Sequence, residues 1–337
     1  MRHLMAAPLA IGLVALFSPS VATAGQPAAD RHGHHQQGLV RVVAGLHGGS
    51  GSTLGPDDAL YVPETQTGSI VRIDPRSGAT TTYATGLPMQ VPGVGVGGAM
   101  DLAFLHHTAY VLVTLVGPDV GGSSTVGLYR MDSPDHFTVV ADIGAWAIAH
   151  PPVPKFFIPS GVQYAMQRYH GGFLVTDGHH NRLLRVRLDG RISEVVAFDN
   201  IVPTGLARSG HTVLMAEAGP VPHLPENGKV LAFRVHSPQP RVVASGARLL
   251  VDVEIGHRGT LYALSQGFFT PGHPEGSPAD PNTGSLVRAD RHGGFETIAT
   301  GLDRPTSLEI IDNDAYVVTL TGEVWRVPLD VRHHHHH

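Results

Sequence analysis

Within five residues, Asp177-Gly178-His179-His180-Asn181 sets two imidazoles beside a carboxylate and an amide. That combination supports two chemistries: it ligates zinc, or it moves a proton while the acid fixes the tautomer of the base. Neighbouring residues of a strand point to opposite faces, so one histidine enters a shared site unless a turn redirects both. Glu217, in Ala216-Glu217-Ala218-Gly219, occupies the matching position of the next repeat. Asp177, His180 and Glu217 are therefore the expected catalytic trio, with His180 as base or metal ligand. The same string also reads as a plain polar turn.

Glu64, Asp101 and Asp252 fall at equivalent ends of the repeated strands, as do Asp177 and Glu217, and all five are expected to converge at one channel mouth. A ring of oxygens suits a hard cation, so Glu64, Asp101 and Asp252 are the expected ligands of one divalent metal, calcium or zinc. A solvated polar funnel is the alternative. His150, Phe156, His179, Asn181, His223, Phe268 and His273 lie on or beside long loops and are the expected ligand-binding residues, an aromatic lid or a set of loop-packing contacts. Gly93-Val94-Gly95-Val96-Gly97-Gly98 matches G-x-G-x-x-G, but no helix pattern follows, so no nucleotide cofactor is expected. Neither a G-x-S-x-G elbow nor an H-E-x-x-H pair is present.

The elements that must hold these residues are short strands. Apolar triplets after Gly, Asp, Asn or His turns recur at Leu60, Tyr110, Phe173, Val213, Leu261 and Ala315, in steps of 50, 63, 40, 48 and 54 residues. Such a period predicts an all-β six-bladed propeller of four-stranded antiparallel blades. The last repeat supplies three strands before the chain ends, and residues 38–46 (GLVRVVAGL) are expected to complete it beside residues 323–327. Closure of that kind removes sheet edges. Every long insertion (87–98, 116–124, 145–157, 220–228 and 268–283) falls on one face of the ring, where binding loops are expected.

Residues 1–24 combine Arg2, an apolar run and Ala22-Thr23-Ala24, the pattern of a cleavable signal peptide, so the protein is expected to be secreted. Residues 25–37 read as a polar tether, 38–331 as the propeller, and 332–337 as a His-rich, tag-like tail. With no cysteine, stability must come from a core. The net charge of −5 and the lack of a basic stripe argue against nucleic acid, and no later segment is long and apolar enough for a membrane span. A monomer with a small-molecule ligand or substrate is the expected state.

The strings GPDDALYVPE (55–64), LVTDGHHNRLLRVRLDG (174–190) and GLDRPTSL (301–308) resemble the ScyD/ScyE family of secreted NHL-like propellers over roughly residues 38–329. Where members of that family carry an Asn-Pro-Tyr-Gly-like entry to the third blade, this chain has Ile158-Pro159-Ser160-Gly161. The resemblance implies a secreted propeller that binds a small ligand at its loop-rich mouth. The alternative is a metal-assisted, lactonase-like hydrolase or lyase working through a carboxylate and histidine site. Lactonase-like sites carry asparagines at strand starts, where this chain has Thr204 and Thr306.

Overall fold

In the computed structural model, which describes residues 38–274 and 276–329, the repeated triplets become the second strands of six four-stranded antiparallel sheets. The chain enters as β1 (Val40–Val43) and builds blade one from β2 (Thr53–Leu54), β3 (Leu60–Glu64), β4 (Ser69–Ile73) and β5 (Thr80–Ala84). Blade two is β6 (Gly98–Leu105), β7 (Thr108–Thr114), β8 (Gly127–Ser133) and β9 (His136–Asp142), followed by α1 (Ile143–Ala149). Blade three is β10 (Gln163–Arg168), β11 (Gly172–Asp177), β12 (Arg182–Arg187) and β13 (Ile192–Ala197). Blade four is β14 (Pro203–Ser209), β15 (Thr212–Glu217), β16 (Lys229–Arg234) and β17 (Ser237–Ser245). Blade five is β18 (Leu250–Ile255), β19 (Leu261–Ser265), β20 (Gly284–Ala289) and β21 (Phe295–Leu302). Blade six is β22 (Pro305–Ile311), β23 (Asp314–Thr319) and β24 (Val324–Pro328), with β1 as its outermost strand.

The architecture is a six-bladed β-propeller. Its sheets stand face to face around the ring, so second strands are covered on both sides and read as unbroken apolar runs. All of β3 and β11 is buried, whereas most of the outer strand β5 is exposed. Apolar side chains interleave between sheets: Leu174 and Leu183 with Leu206, Met215 and Leu231, then Ala207 and Val230 with Leu250 and Val253.

The ring closes as expected. β1 pairs antiparallel with β24, Val40 opposite Arg326 and Val43 opposite Val324, and Leu46 N–H donates to Gly322 O at 3.0 Å. One expected loop proves different: residues 143–149 form α1, because Asp142 caps it by accepting from Ala145 N–H at 2.7 Å and Pro151-Pro152 then stops it. The expected leader, tether and tail lie outside the described residues.

Deleting residues 1–46 should lower the unfolding free energy by several kcal/mol, and with it the urea midpoint, since Val43 and Leu46 are both buried and each contributes about 1.5–3 kcal/mol. Deleting residues 1–37 should leave the midpoint unchanged. Equal midpoints for the two truncations would show that closure contributes nothing.

Candidate functional site: the central channel

First strands line the channel, and the strand register aligns them level by level. Leu102, Met166, Leu206, Val253 and Leu308 pair with Val111, Val175, Met215, Ala263 and Val317, equivalent positions of their second strands. The residues just before them are Asp101, Ala165, Gly205, Asp252 and Ser307. Two of these are aspartates, three blades apart. Asp101 accepts from Leu102 N–H at 2.8 Å and from Met166 N–H of the next blade at 2.7 Å. Asp252 repeats the pattern, accepting from Val253 N–H at 2.8 Å, Leu308 N–H at 2.7 Å and Ser307 Oγ at 3.2 Å. Each aspartate thus bolts its blade to the next. The preceding blades carry Gly51 and Gly205, where a Cβ would strike the aspartate. Burial pushes Asp101 well above the usual carboxylate range and Asp252 up to about 7, although backbone N–H donors oppose the shift in both.

Tyr164 bars the channel. It leaves blade three and donates its hydroxyl proton to Thr306 O of blade six, on the opposite side of the ring, at 3.2 Å. Burial raises its pKa, so it stays a donor. Beyond this bar, toward the tight turns that join first to second strands, lies a cavity of about 350 Å³ walled by residues of all six first strands. Glu254 and Glu309 sit in that wall, two positions past Asp252 and Ser307. The Glu254 carboxylate accepts only from its neighbour Ile255 N–H, at 3.2 Å, and the Glu309 carboxylate has no hydrogen-bond partner among the described residues. Burial first, then the charges of Glu254, Asp252 and Asp101, pushes Glu309 well above the usual carboxylate range against the opposing charge of Arg168; burial, then Asp252 and Asp101, do the same to Glu254 against the Ile255 N–H. Gln167 and Thr53 add neutral polar groups, and the exposed Arg168 and Arg208 stand at the mouth.

The residues singled out in the sequence are placed elsewhere, or otherwise engaged. Asp177 and His180 do meet, at 3.1 Å, with both side chains fully enclosed. Arg182 completes that cluster and the sequence reading missed it. Its Nε donates to Asp177 Oδ2 and its Nη2 to His180 Nδ1, both at 2.9 Å, while Nη1 donates to His150 O at 2.7 Å. His180 Nε2 donates to Ile158 O at 3.1 Å, so both ring nitrogens are occupied. The guanidinium lies 4.8 Å from the Trp146 ring centre, and an enclosed Arg–Asp pair of this kind is structurally expensive to break. Glu217 is buried in the next blade and faces Lys229 Nζ at 3.6 Å rather than His180; burial lifts it to about 7 against the opposing Lys229 charge.

Loop anchoring explains most of the remainder. Asn181, at φ +52°, accepts from Ile201 and Val202 N–H at 2.9 and 2.8 Å. His150 stacks on Trp146 and bonds its carbonyl at 2.8 Å, and His223 bonds Ala218 O at 3.1 Å with its edge toward Phe269. His179 stacks on Phe156 at 4.7 Å, His273 lies against Phe269, and Phe268 under Arg248. Glu64 accepts from His47 N–H and Thr67 Oγ1, both at 2.8 Å, which ties the segment after β1 to blade one.

The five carboxylates therefore do not share one mouth. Asp101 and Asp252 line the channel, whereas Glu64, Asp177 and Glu217 end second strands one layer further out, roughly 4.8 Å per strand, beneath their own loops. Among the described residues no three His, Asp or Glu side chains are grouped to hold a metal ion, so the expected set of Glu64, Asp101 and Asp252 does not fit one.

No protein-family profile and no curated protein matches this chain. Among solved structures it is similar to a gluconolactonase from Xanthomonas campestris (11% identity, 87% of this chain and 89% of that one, TM-score 0.60). It is likewise similar to the calcium-binding protein regucalcin from Agrobacterium tumefaciens (12%, 85% and 92%, TM-score 0.57). A virginiamycin B lyase from Staphylococcus aureus is a third such structure (12%, 87% and 99%, TM-score 0.53). The shared feature is the fold. These likenesses do not show the ScyD/ScyE family, for which only the resemblance of the sequence motifs speaks.

A carboxyl that binds its proton more tightly when folded stabilises the protein below its unfolded pKa of about 4 and loses that contribution as pH rises through its folded value. Glu309→Gln, neutral throughout, should leave Tm nearly unchanged at pH 4 and raise it by about 1–3 °C at pH 8. Scanning fluorimetry across that range checks this; an equal shift at both ends would mean altered packing instead.

Proposed function

We propose that this chain is an exported propeller of ScyD/ScyE type that binds a small polar molecule in its central channel, entered from the turn face. The observation that carries the reading is the cavity of about 350 Å³ closed at its inner end by Tyr164 and walled by every blade. Small-molecule sites are concave spaces of roughly 300–1,000 Å³ with a few convergent polar groups. The loop-rich face supports the role less well, because His180, Asn181, His150 and His223 spend their polar atoms on the chain itself. Export is proposed from the leader-like N-terminus.

A second reading, a hydrolase or lyase, draws on Asp252, whose value of about 7 suits a general acid near neutral pH, and on the gluconolactonase and lyase among the similar folds.

Thermal-shift screening of polar small molecules and lactones tests both readings. Hits should be lost in Gln167→Trp, which fills the cavity, and kept in Phe156→Ala. The reverse pattern would assign the ligand to the loop-rich face. Lactone turnover in the native protein that disappears in Gln167→Trp would favour the catalytic reading.

A further inference from the structure

We infer that the ligand of this cavity is a small zwitterion, with an ammonium group at the inner end and an anionic group at the mouth. The inference rests on the channel as the binding site and deepens it. Carboxylates crowd one side of the inner wall: Glu254 and Asp252 on blade five, Glu309 on blade six. No group among the described residues donates to the half-buried Glu309 carboxylate, so a bound N–H donor would supply what the protein omits. An ammonium offers three such donors and the opposite charge, and can serve Glu254 and Glu309 together.

The mouth has the opposite polarity. Arg168 of blade three and Arg208 of blade four line it, and blade three faces blade six across the ring. Arg168 gives Nη1 to Phe104 O at 3.3 Å, and Arg208 gives Nη1 to Gly210 O at 3.0 Å. A guanidinium carries five donors, so both retain N–H groups for a carboxylate. A simple cation would leave the arginines unused, and a simple anion would be repelled by the carboxylates below them. The space corresponds to roughly ten waters, enough for an amino acid or a short ω-amino acid.

Titration calorimetry at pH 7.5 with 6-aminohexanoate, hexylamine, hexanoate and sorbitol tests the inference. The zwitterion should bind at least about tenfold more tightly than the other three. Glu309→Gln and Glu254→Gln, each checked for a native circular-dichroism spectrum and a cooperative melt, should weaken it about tenfold, while Arg168→Gln should bring it down to the affinity of hexylamine. Equal binding of hexylamine and 6-aminohexanoate would remove the anionic end from the inference. Preferential binding of hexanoate or sorbitol, abolished by Gln167→Trp, would overturn the ligand class and leave the channel site standing. No binding by any of the four would overturn both.

Discussion

Everything in this molecule depends on one antiparallel seam, the pairing of β1 with β24. Six sheets bury their faces only if each has a neighbour on both sides, and blade six has its full width only because the start of the chain returns to it. Without a cysteine anywhere, the seam is held by ladder bonds, by burial of Val43 and Leu46, and by the Arg41–Glu323 pair at the rim. The rim pair is exposed and contributes little; burial and the ladder dominate.

A closed ring fixes the channel, and the channel is finished by a second, inner set of bonds. Asp101 and Asp252 each cross to the next blade, at related places in the two halves of the ring, and Gly51 and Gly205 make the room. Burying carboxylates this way costs solvation, which appears as their raised pKa values. Glu254 and Glu309, half-buried in the same wall, add to that cost without hydrogen bonds in return from neighbouring blades. A fold optimised for stability alone would place apolar or paired residues there, and that cost is what supports the channel wall as the proposed site.

The ring was legible in the sequence because second strands are covered on both faces, and so Leu60, Tyr110 and Phe173 announce themselves as apolar runs at blade spacing. The closing strand was legible from a missing fourth strand. The site was harder. Asp101 and Asp252 were recognised as channel residues, but strand ends such as Glu64, Asp177 and Glu217 look equivalent in a linear repeat and differ by a whole layer in a radial one. Glu254 and Glu309 carried a usable signal: each interrupts an apolar strand two positions after a channel residue. Nothing local foretold the reach of Tyr164 across the ring, which decides the face on which the cavity opens. The histidines of DGHHN looked catalytic because polar turns and active sites use the same residues; Arg182 one residue downstream of the motif turns the cluster into a brace.

The most direct measurement is a crystal structure of the protein soaked with 6-aminohexanoate. The account predicts density in the channel on the turn side of Tyr164, its nitrogen between Glu254 and Glu309 and its carboxylate toward Arg168. Density over Phe156 and His179 on the loop-rich face, with the channel holding water alone, would contradict it.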